Sequence, residues 1–133
     1  DRLAAIEPRD TAVREFQVKV RGAEAESLAA RGRFAEALAL QQTNLAYRER
    51  PGAAVLEDRG DNQRALALHM LGNIAAQAGD RTLACDSFRK AREALVRLDR
   101  GRRALGYVSS HRATWDNNFV RCRAGLPLKL GEQ

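Results

Sequence analysis

Between Asn62 and Leu98 two runs of apolar residues, spaced mostly three and four apart, are separated by Gly79-Asp80. Leu66, Leu68, Leu71, Ala75 and Ala78 make up the first run, and Leu83, Ala84, Phe88, Ala91, Leu95 and Leu98 the second. This is the period of an amphipathic α-helix rather than of a strand. Glycine closes a helix by entering the left-handed region, and aspartate starts the next by accepting a bond from an unpaired backbone N–H. The segment is therefore predicted to be an antiparallel helix pair, and the rest of the chain must pack around it.

The flanks read in the same way. Asp10 or Thr11 is the expected cap of a helix carrying Val13, Phe16, Val20, Ala23 and Ser27 and closing at Gly32. Phe34, Ala37, Leu38, Gln41 and Leu45 give a partner helix that ends before Pro51-Gly52, and the short Gly32 turn makes these two a hairpin. Residues 51–62 form the longest connection, after which Asp61 or Asn62 is the expected cap of the next helix. Upstream, Asp1 to Glu7 reads as the end of a preceding helix stopped by Pro8. Downstream, Leu105, Val108, Trp115, Phe119 and Cys122 share one face of a capping helix over 102–124. Arg112 interrupts that face, Ser109-Ser110 offers a second start, and Gly125 with Pro127 ends the helix. The expected fold is all-α: two antiparallel helix pairs and a C-terminal capping helix in one domain over 1–125, with 126–133 as a tail.

At 133 residues the chain is long enough to fold around a core without metal or disulfide staples. Cys85 and Cys122 fit no zinc spacing and are expected to be reduced helix residues. No apolar run approaches the roughly 18 residues of a membrane span, so a soluble, cytoplasmic chain without membrane contact is expected.

Leu68-x2-Leu71-Gly72-x2-Ala75, followed by Ala84-x3-Phe88 and Ala91, resembles the tetratricopeptide repeat (TPR) in order and spacing. Leu68 stands where that pattern prefers Trp, and Val96 where a proline usually ends the second helix. GRFAEAL at 32–38 lines up with GDRTLAC at 79–85, which makes 11–50 a weaker repeat ahead of the strong one at 62–98. The IEPRD opening and GRFAEALAL are also similar to the degenerate repeat arrays at the C-terminal ends of large bacterial regulators, among them serine/threonine kinases and winged-helix transcription factors. The resemblance implies a short α-solenoid with a concave groove for a protein or peptide, within a larger regulatory chain that continues upstream of Asp1. In such a stack the first helix of each pair lines the groove. His69, Asn73 and Gln77, a period-four stripe on one such helix, are then the expected partner-binding residues, with Glu26 from the earlier pair.

No HExxH, GxSxG or phosphate-binding glycine loop occurs, so no enzyme activity, catalytic residue, cofactor or metal is expected. Residues 1–66 hold 11 basic and 11 acidic side chains, whereas 67–133 hold 12 and 6, which puts the whole charge of +6 in the second half. Arg97, Arg100, Arg102, Arg103 and Arg112 form the expected basic patch, a footprint for an acidic partner. Two other readings stay open: a structural segment, including a homodimer, and a basic helical domain that binds nucleic acid, against which the low aromatic content counts.

Overall fold

The computed structural model describes residues 8–48 and 57–129. The expected end of a preceding helix at 1–7, residues 49–56 of the long connection and the last residues of the tail lie outside them. Among the described residues every regular element is helical: α1 (Pro8–Ala30), α2 (Phe34–Arg48), α3 (Glu57–Gln77), α4 (Arg81–Arg100), the single turn α5 (Gly106–Ser109) and α6 (Arg112–Ala124). None is long and apolar enough to cross a membrane.

Two glycines set the turns. Gly32 and Gly79 have φ of 77° and 83°, a region that side chains with a Cβ disfavour. After each, the next residue's N–H reaches back to a helix carbonyl: Arg33 to Leu28 and Asp80 to Ala75, both at 2.9 Å. Both closures are the Schellman arrangement, in which a left-handed residue lets the chain satisfy carbonyls the helix leaves unpaired. Asp80 then caps α4, its carboxylate accepting from Leu83 N–H at 3.1 Å.

Each long helix packs on its neighbour in the chain: α1 on α2, α2 on α3, α3 on α4, and α4 on α6, while α1 also reaches α3. The core follows these contacts. Ala25, Leu28, Ala29, Ala37 and Ile74 join α1, α2 and α3. Ala75, Ala84 and Phe88 join α3 and α4, and Ala65, Leu68, Ala91, Leu95, Val108 and Trp115 bind that pair to α5 and α6.

Four boundaries and faces differ from expectation. α1 begins at Pro8, ahead of Asp10 and Thr11; proline suits a first helical turn, where its missing N–H has no partner to lose. Its buried face is Val18, Gly22, Ala25, Leu28 and Ala29, whereas Phe16 is 68% exposed and Val20, Ala23 and Ser27 of the expected stripe are exposed with it. α3 begins at Glu57, and neither Asp61 nor Asn62 starts it. The capping helix is broken: Arg102 has φ of 56°, α5 is one turn, and α6 starts only at Arg112. Asn62 explains the break. Fully buried, it donates to Arg103 O at 2.9 Å and accepts from Leu105 N–H at 2.8 Å, taking up backbone groups that a continuous helix would need.

The cysteines are also a correction. Cys85 on α4 and Cys122 on α6 are joined in a disulfide with Cα atoms 5.6 Å apart. The link lies where the two helices pack, a juxtaposition that a separation of 37 residues does not reveal.

Candidate functional site

An open cavity of about 410 Å³ lies among α1, α2, α3 and α5. Val18, Lys19, Gly22, Ala23 and Glu26 of α1 form one wall, and Gln63, Leu66, Ala67 and Met70 of α3 face them. Gln41 and Asn44 of α2 and Tyr107 of α5 also line it. Gln41 follows Gly32 by as many residues as Phe88 follows Gly79. An amide thus stands in the first helix pair where a fully buried aromatic ring fills the second.

That amide is the unusual part. Gln41 and Asn44 are each only 2% exposed. Gln41 Nε2 donates to Ala67 O at 3.0 Å and Asn44 Nδ2 to Val18 O at 3.3 Å, which fixes the sense of both amides. Among the described residues their oxygens, Oε1 and Oδ1, have no hydrogen-bond partner. Closer to solvent, Glu26 and Lys19 are exposed on α1, and neither forms an ion pair among the described residues.

Of the four expected groove residues, Glu26 alone lines this cavity. His69 is buried on another face of α3, its ring 5.2 Å from those of Trp115 and His111 and 5.9 Å from Phe88. Asn73 is half-buried with Nδ2 3.2 Å from His69 Nε2, and Gln77 is exposed outside the cavity. The stripe at 69, 73 and 77 therefore starts under the α5–α6 segment, which covers His69. The α3 residues at the cavity are Gln63, Leu66, Ala67 and Met70, spaced three, four and seven apart. That spacing is visible in the sequence, but Leu66, Ala67 and Met70 are too apolar to stand out from core positions, and Gln63 alone marks no site. Burial, and then the neighbouring charge of His111, push the His69 pKa down to about 4. His69 is a neutral packing residue.

The basic patch divides as well. Arg103 pairs with Asp61 at 2.9 Å, while Arg112 pairs with Asp99 at 2.5 Å and Asp116 at 3.1 Å. Both are tied into the joints between elements, and Asp61 joins Asp99 in offsetting the cluster. Arg97, Arg100 and Arg102 are exposed. Among the described residues no group of three or more His, Cys, Asp or Glu is placed to hold a metal.

The chain was compared with family models, with curated proteins and with solved structures, and none of them matches.

Proposed function

We propose that this chain is a protein-recognition module with a TPR-like arrangement of two stacked helix pairs and a cap, receiving a peptide or protein segment in the groove between α1 and α3, and belonging to a larger regulatory protein. The groove itself carries the reading: an open cavity between the first helices of the two pairs, lined in part by buried amides whose oxygens lack partners among the described residues. The matching closures at Gly32 and Gly79 support the repeat. No constellation of nucleophile and base belongs to the proposal, and it remains a binding function rather than an enzyme. The disulfide argues for an oxidising compartment in place of the cytoplasm, since cytosolic thiols are kept reduced.

The test is amide chemical-shift mapping with peptides selected from a random display library. Perturbations should gather at Val18, Gly22, Ala67 and Met70. Absence of any binder, or shifts gathered on α4 and α6, would sink the reading.

One observation favours a second reading, docking to another copy or to a neighbouring domain. Phe16 and Val20, one turn apart on α1, are 68% and 48% exposed. Light scattering on the purified chain separates a dimer from a monomer. Nucleic-acid binding is the weaker proposal, because Arg103 and Arg112 are engaged in ion pairs within the fold.

A further inference from the structure

We propose that the joint of α4 and α6 is a second recognition site, for a short non-helical segment carrying an aliphatic residue, and that residues 126–129 of this chain fill it from within as a displaceable occupant. The site lies apart from the groove between α1 and α3 and does not rest on it. α6 closes at Gly125 with φ of 70°, and the residues that follow are held by side chains of the two helices. Asn118, fully buried, clasps Lys129 by both backbone groups: its Nδ2 donates to Lys129 O at 2.8 Å, and its Oδ1 accepts from Lys129 N–H at 2.9 Å. Arg121 donates to Pro127 O at 3.0 Å, and Arg81 of α4 donates to Leu126 O at 2.6 Å. Each of these bonds uses the segment's backbone, so any chain presented in this way satisfies them. Leu128 adds the side-chain contact, half-buried against the core cluster of Ala75, Ala84 and Phe88.

Two features make the segment an occupant rather than a support. The site is held together without it, because the Cys85–Cys122 link joins α4 to α6 one turn from Arg81 and one turn from Asn118. When the segment leaves, Asn118, Arg81 and Arg121 exchange its backbone for water, and their bonds are replaced rather than lost. Leu128 alone gives up apolar contact. An open cavity of about 160 Å³ beside it, bordered by Ala76, Gly79 and Arg81, has room for a larger side chain from a partner.

The experiment titrates the full chain with the acetylated, amidated peptide LPLKL, the sequence of residues 126–130, and follows amide chemical shifts. In the native chain the tethered segment competes at an effective concentration on the order of millimolar. Leu128→Asp weakens that competitor and should bind the peptide about tenfold or more tighter than the native chain, with the milder Leu128→Ala in between. Shifts should gather at the Asn118 side-chain amide and at Ala76 and Gly79. A peptide with Asp at its centre should bind about tenfold or more weaker, for loss of the aliphatic contact. The proposal is overturned if neither variant binds LPLKL more tightly than the native chain, or if the Asp peptide binds equally well. Shifts at Val18, Gly22, Ala67 and Met70 instead would place the peptide in the groove between α1 and α3; the second site then falls while the first reading stands.

Discussion

Gly72 of α3 lies against the ring of Phe88 of α4 so closely that a Cβ at Gly72 would stand 2.7 Å from Phe88 Cε1 and 2.8 Å from Cδ1. Phe88 is fully buried against Ala75 and Ala84 and has little room to retreat. Gly72→Leu is expected to destabilise the chain by about 1 to 3 kcal/mol through overpacking. Denaturant titration reads this as a lower midpoint, and an unchanged midpoint would mean that the two helices are further apart.

His69 makes stability depend on pH. Its folded pKa of about 4 lies below the ordinary 6.5, so between these values the unfolded chain binds a proton that the folded chain refuses. The contribution is full above pH 6.5, is lost as pH falls toward 4, and is roughly 3 kcal/mol as an order of magnitude. Thermal melts at pH 7 and 4.5 should differ more for the native chain than for His69→Phe, which keeps an aromatic ring beside Trp115. Equal differences in the two proteins would remove His69 as the cause.

The Cys85–Cys122 link closes a separation of 37 residues, for which chain entropy predicts about 3 to 4 kcal/mol of stabilisation. The double variant Cys85→Ala, Cys122→Ala should unfold correspondingly earlier. It should keep its helix content, because Trp115 packing and the Arg92–Asp116 pair at 2.8 Å also hold α6 on α4. Iodoacetamide should label the native chain only after reduction, and two labels without reductant would refute the link.

Asn62 joins α3 to the segment before α5 through two backbone groups. Asn62→Leu leaves the Arg103 carbonyl and the Leu105 N–H without that partner, at an expected loss of about 1 to 3 kcal/mol. Hydrogen exchange at Leu105 should quicken beyond the global change. Retained protection there would show that another group satisfies this amide.

Arg102 occupies the left-handed region at φ of 56° and is exposed. Arg102→Gly should stabilise the fold by about 1 kcal/mol, less the entropy that glycine gives to the unfolded chain. The same change removes one of the exposed charges of the basic corner. If that corner steers an acidic partner, association slows at low salt and the difference shrinks at 1 M, where the screening length is about 3 Å. No change in rate would leave Arg102 a solvated turn residue.

The sequence determined the features that neighbouring residues encode: helical periods, closures at Gly32 and Gly79, the Asp80 cap, and the small residues Gly72 and Ala84 within the α3–α4 hairpin. These are local or single-hairpin properties, so the spacing of residue types suffices to state them. It did not determine which face of a helix would be covered. α1 carries both Phe16-Val20 and Val18-Gly22-Ala25-Ala29, and the second set is buried because its small residues let α2 and α3 approach closely. α3 carries a polar stripe from His69 to Gln77 and a mixed stripe from Gln63 to Met70. Residues of α5 and α6, about 40 positions later, cover His69 and leave the other stripe at the cavity. The disulfide and the bonds of Asn62 both depend on the end of the chain, since Cys122 of α6 meets α4 and the segment before α5 meets α3 only in the packed structure. Periodicity marks every face that could be buried, but burial requires an apolar surface from elsewhere in the chain, and only the packed structure decides where that surface lands.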